Sequence, residues 1–89
     1  MVRLYSVVFT PEAKGDLEKV EPRLAQRILA KVTWLAANCE SLVHKPLSGE
    51  FKGLYRLRVG DYRVIYSIDS SPTRRINILL IGHRKDIYK

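Results

Sequence analysis

The 89-residue chain is long enough for one domain with a thin core, since a chain this short buries only about 60–65% of its unfolded surface. No apolar run approaches the roughly 18–20 residues that span a bilayer, and the single cysteine, Cys39, excludes an intramolecular disulfide and points to a cytosolic chain. The 16 Lys and Arg against 9 Asp and Glu give a net charge of +7, which favours a polyanionic or acidic partner.

The opening Val2 to Phe9 predicts a strand, apolar on both faces and therefore covered on both sides. It is too short, and too soon followed by Pro11-Glu12, to be a signal peptide. Thr10-Pro11-Glu12 predicts a helix start, with a Thr cap, Pro at the first position and an acid in the first turn. That helix should run to about Lys19. A second helix, from about Arg23 to Asn38, carries the stripe Leu24, Ile28, Val32 and Leu35, widened by Leu29 and Ala36. Arg23, Gln26, Arg27 and Lys31 form its solvated side, and Trp34 lies off the centre of the stripe. Asn38 to Glu50 reads as a loop. Within and just after it, Lys45 and Lys52 suit either contact with a polyanion or ordinary surface charge, and His44 suits surface duty better.

Tyr55 to Tyr66 is the most informative stretch. It alternates with period two about Gly60-Asp61, which predicts a hairpin with Val59 opposite Tyr62, Arg58 opposite Arg63 and Leu57 opposite Val64. One face is apolar or amphipathic; the other carries Arg56, Arg58 and Arg63. Like charges placed opposite one another destabilise a sheet by roughly 0.2–1 kcal/mol per pair, so this face predicts an anion site, with phosphate the best match to the guanidinium fork. Asp69 to Thr73 is a turn cluster. The strand from Arg74, rich in Ile and Leu on both faces, should lie centrally and end at Gly82. His83, Arg84 and Tyr88 follow within six residues. Charge segregates with this half: residues 1–44 hold six basic and five acidic side chains, net +1, and residues 45–89 hold ten and four, net +6.

The expected fold is a single α+β domain over 1–89: an N-terminal strand, two helices, then a three-stranded antiparallel meander forming a small sheet with the helices on one face. No metal-ligand spacing, Gly-rich phosphate loop or Ser nucleophile motif is present, so no cofactor or metal is expected. What remains suits RNA cleavage by the 2′-hydroxyl. That reaction needs a proton acceptor, charge to stabilise a phosphorane, and a proton for the leaving oxygen. Arginines suit the second task. His83, whose imidazole class titrates near neutrality, suits either proton transfer, and Tyr88 suits base stacking.

The element order, the segment Leu54 to Tyr66, the ending Ile81 to Tyr88, the opening Phe9-Thr10-Pro11-Glu12-Ala13 and the loop Lys45 to Gly49 together resemble the RelE/ParE superfamily of type II toxins over essentially the whole chain. The resemblance implies a toxin neutralised by a co-expressed antitoxin in a hetero-oligomeric complex. RelE-like members are metal-independent endonucleases that cut mRNA in the ribosomal A site; ParE-like members poison DNA gyrase. The Gly-His-Arg ending followed by Tyr looks more RelE-like. By the resemblance, Arg63 stabilises the transition state, Arg84 acts as general acid or charge stabiliser, and Tyr88 stacks on the substrate. Arg56 and Arg58 fall where lysines are usual, one a proposed base. Arginine stays protonated, so His83 or Lys52 is the expected base here, unless positioning carries most of the rate. The competing expectation is a gyrase poison or a binding module whose catalytic set has decayed. No membrane partner is expected.

Overall fold

The computed structural model describes residues 4–87. Its elements are β1 (Ser6–Phe9), α1 (Pro11–Glu18), α2 (Pro22–Ala37), a two-residue β2 (Lys45–Pro46), a 3-10 turn (Gly49–Phe51), β3 (Tyr55–Val59), β4 (Tyr62–Asp69), β5 (Arg75–His83) and a short α3 (Arg84–Ile87). The α+β order of strand, two helices and a three-stranded meander is the expected one. The sheet has five strands, ordered β1-β5-β4-β3-β2. β1 joins β5 in parallel, Val7 beside Ile76 and Phe9 beside Ile78, so the sheet is mixed rather than wholly antiparallel. None of the helices described is long and apolar enough to cross a membrane.

Where β1 stops, α1 takes over the edge of β5. The Thr10 hydroxyl accepts from Ala13 N–H at 3.1 Å, capping α1, and donates to the Leu79 carbonyl at 3.1 Å. Asp16 accepts from Ile81 N–H at 3.0 Å. These side chains supply what a strand would have supplied to β5's backbone. The Leu79 carbonyl belongs to a bulge: β4 Ile65 pairs with Leu80 and Tyr66 with Ile78, leaving Leu79 as the extra residue.

Both long helices pack on one face of the sheet. Ile28, Val32, Leu35 and Ala36 of α2, at i, i+4, i+7 and i+8, meet Val64, Tyr66, Ile76, Ile78 and Ile81 with Ala13 of α1. Burying each large aliphatic side chain stabilises the fold by about 1.5–3 kcal/mol. Leu29 stays exposed and does not widen the stripe. The expectation that the first strand is covered on both sides is also corrected. β1 is an edge strand whose residues alternate in exposure, with Val8 46% exposed.

The second face is reached at Gly82. Ile81 belongs to the helix-side core, so Gly82 faces the other way. A Cβ built there would lie 2.9 Å from Ile87 Cγ1. The short α3 therefore folds back on the face opposite α1 and α2, and Gly82 is the close approach that admits it.

Candidate active site

The hairpin register is the predicted one: Val59 pairs with Tyr62, Arg58 with Arg63 and Leu57 with Val64. Of the two turn residues only Gly60 has positive φ, +58°, the pattern of a type II′ turn and one that L side chains resist. Arg63 is 8% exposed and donates from Nη1 to the carbonyls of Gly60 and Tyr62, both at 3.0 Å. Its guanidinium is thereby clamped to the turn. Arg84 reaches the same turn from α3. Its backbone N–H donates to the Asp61 carbonyl at 2.8 Å, and its Nε lies 3.8 Å from Asp61 Oδ1. Arg58 stands opposite Arg63, and Arg27 of α2 approaches Gly60, its Nη2 3.9 Å from where a Cβ there would sit. The Gly60-Asp61 turn thus collects four guanidiniums and one exposed carboxylate.

Further along β3, Lys45 pairs with Arg56, which extends the cationic edge away from the turn. A cleft of about 280 Å³ opens between α2, the 38–44 segment and this edge, with Arg56, Arg58 and Arg63 in its wall. An anion entering there meets fixed positive charge before it meets any carboxylate.

Two expected members stand elsewhere among the described residues. β5 runs one residue past Gly82, so His83 pairs with Tyr62 while Gly82 pairs with Arg63. His83 leaves the sheet on Tyr62's side, its ring edge-on to that phenol at 5.6 Å, and not with Arg58 and Arg63. Its Nδ1 accepts from Lys85 N–H at 3.1 Å, so the lone pair a general base would use is already engaged. Lys52 caps the 3-10 turn, ahead of β3 and at the opposite end from Gly60. Tyr88 lies outside the described residues.

Residues 7–88 match the family described as the ParE toxin of type II toxin-antitoxin systems, parDE. Toxin RelG of Mycobacterium tuberculosis is 36% identical over 85 residues, covering 96% of this chain and 97% of that protein. Toxin RelE of the same organism is 33% identical over 85 residues, covering 96% and 87%. The crystal structure of the RelBE2 toxin-antitoxin complex from M. tuberculosis superposes with TM-score 0.81 at 36% identity, covering 97% of each chain. The chain belongs to the RelE/ParE superfamily. It is a type II toxin of the RelE family.

Within this RelE-type frame the sequence pattern identifies Arg58, Arg63 and Arg84 but not Arg27. A helix pattern assigns Arg27 to solvent, and only the packing of α2 beside the turn shows its proximity. His44 is the converse case. Its Nε2–H donates to the Cys39 carbonyl at 2.8 Å, so its Nδ1 accepts the Tyr66 hydroxyl at 2.6 Å. Burial, reinforced by Cys39 and Tyr55, pushes the Tyr66 phenol up. Burial and then Glu40 raise Cys39 as well. His44 therefore ties the loop to the sheet rather than serving as a free surface residue.

Proposed function

We propose that this toxin is a ribosome-dependent, metal-independent endoribonuclease that cuts mRNA codons in the ribosomal A site, inhibits translation and arrests growth in the cytoplasm. A cognate antitoxin holds it inactive in a hetero-oligomeric complex. The observation that carries the reading is the convergence of Arg58, Arg63 and Arg84 on the Gly60-Asp61 turn, where Arg84 lies beside Asp61. The 2′-oxygen attacks phosphorus, its bond to phosphorus forms, and the bond to the 5′-oxygen breaks. This leaves a 2′,3′-cyclic phosphate and a 5′-hydroxyl. Arg63, fixed by two carbonyls, and Arg84 stabilise the equatorial charge of the phosphorane, a preorganised effect worth about 10²–10³ in rate per donor group. Arg56, Arg58, Lys45 and Lys52 hold the RNA backbone along β3, and Tyr88 stacks on a base.

The proton of the 2′-hydroxyl goes to water, and water returns one to the 5′-oxygen. The engaged lone pair of His83 and the distance of Lys52 from the turn argue against either as the base. With no strong base, orientation by the ribosome carries much of the rate, which explains the dependence on it. The ParE name of the matching family favours a second reading, a non-enzymatic poison of DNA gyrase. Primer extension on a defined mRNA, with purified ribosomes present or omitted, separates the two. The nuclease reading expects cuts inside A-site codons only when ribosomes are present. No cuts in either arm, with loss of supercoiling by gyrase, would replace it with the second reading.

A further inference from the structure

The short α3 is a single turn, too short to hold its own shape, so its direction is set from outside. It carries Arg84, and three contacts among the described residues anchor it. The Arg84 N–H donates to the Asp61 carbonyl at 2.8 Å, the Lys85 N–H donates to His83 Nδ1 at 3.1 Å, and Ile87 lies against Gly82. The first N–H groups of a helix have no acceptor within it, and here two of them are met from outside. One acceptor is the hairpin turn. The other is an imidazole, standing where Asn, Asp, Ser or Thr usually caps a helix.

That imidazole is itself held. His83 pairs with Tyr62 across the β4–β5 ladder, and its ring lies edge-on to the phenol at 5.6 Å and 78°. With Nδ1 accepting, a neutral ring carries its hydrogen on Nε2. We infer that His83 is a positioning residue: the cap that fixes α3 and, through it, the approach of Arg84 to the Gly60-Asp61 turn. The inference rests on the endonuclease reading for what Arg84 does there, and not for the cap.

An asparagine Oδ1 lies two bonds beyond Cβ, as His83 Nδ1 does, whereas a glutamine Oε1 lies one bond further out, as Nε2 does. His83→Asn therefore restores a cap but supplies no base, and His83→Gln supplies neither. Two quantities are read on the full-length toxin, with folding checked by circular dichroism. One is amide hydrogen exchange at Lys85 by NMR. The other is single-turnover cutting on programmed ribosomes at varied ribosome concentration. In His83→Ala and His83→Gln the Lys85 amide should exchange about tenfold faster. In both, the rate at saturating ribosomes should fall by about 10- to 10²-fold, with the half-saturating concentration unchanged. His83→Asn should keep both quantities within about threefold of wild type. Cutting by His83→Asn as slow as by His83→Ala would overturn the inference in favour of proton transfer by the ring. Unchanged Lys85 exchange in His83→Ala would overturn it too, as would faster exchange with cutting at the wild-type rate. Exchange is read without ribosomes or RNA, so a wild-type toxin that cuts nothing would count against the endonuclease reading alone and leave the cap decided by Lys85.

Discussion

At one end of the β3–β4 ladder Tyr55 sits opposite Tyr66; at the other Arg58 sits opposite Arg63. The tyrosine end is closed. The Tyr66 hydroxyl is buried and spent on His44, the His44 ring is spent on Cys39, and the three rings of Tyr55, Tyr66 and His44 lie within 5.6–5.8 Å of one another. The arginine end is left open. Two guanidiniums face each other, and a third arrives from α3 with its Nε 3.8 Å from Asp61. One pair of strands thus ends in a hydrogen-bonded aromatic network and in a concentration of positive charge. The first is what stability selects. The second costs stability, and under the proposed function an RNA phosphate offsets that cost.

The largest effect that separates the two ends is on activity. Arg84→Ala should abolish growth arrest and slow cutting by about 10²–10³. Its exposed ion pair with Asp61 is worth little, so unfolding should shift by less than about 0.5 kcal/mol. Full growth arrest by this variant would remove the arginine end from the chemistry.

Tyr66→Phe should do the reverse. Losing the hydroxyl strands His44 Nδ1 and costs about 1–2 kcal/mol, or very roughly 4–16 °C in Tm, with cutting per folded molecule unchanged. The same variant carries a pH test. The folded state holds the Tyr66 proton more tightly than the unfolded chain does. That stability is complete below the ordinary phenol range, near pH 10, and is lost as pH rises through the raised folded value. Wild-type stability should therefore fall on the alkaline side with a slope that Tyr66→Phe flattens, as urea titrations from neutral to alkaline pH will read. The smallest effect is on Cys39. Buried, and with its thiol pushed up, it should react with a disulfide reagent about 10²-fold more slowly than in the urea-unfolded chain. Fast labelling of the native protein would mean the tyrosine end is looser than its contacts imply.

The hairpin is legible in the sequence because everything that sets it is local: period-two alternation, one turn glycine, and opposed arginines that no solubility argument requires. The start of α1 is legible for the same reason, through Thr10-Pro11. The parallel β1–β5 pair is not, since nothing local encodes a partner nearly seventy residues away. His83 shows how sharp the boundary is. Ending the last strand at Gly82 frees His83 to join the arginines; extending it by one residue sends the ring to the opposite face. Arg27 and His44 carry ordinary surface signatures, and their roles come only from the packing of α2 beside the turn and from a hydrogen bond between residues 44 and 66.

The contrast between the two ends is tested most directly by Arg58→Gln, with unfolding free energy and single-turnover cutting on programmed ribosomes measured on the same preparation. Removing one of two opposed charges should stabilise the domain by about 0.2–1 kcal/mol while slowing the cut at least about tenfold. A variant that is less stable than wild type, or that cuts at the wild-type rate, would contradict the claim that the arginine end gives up stability for function.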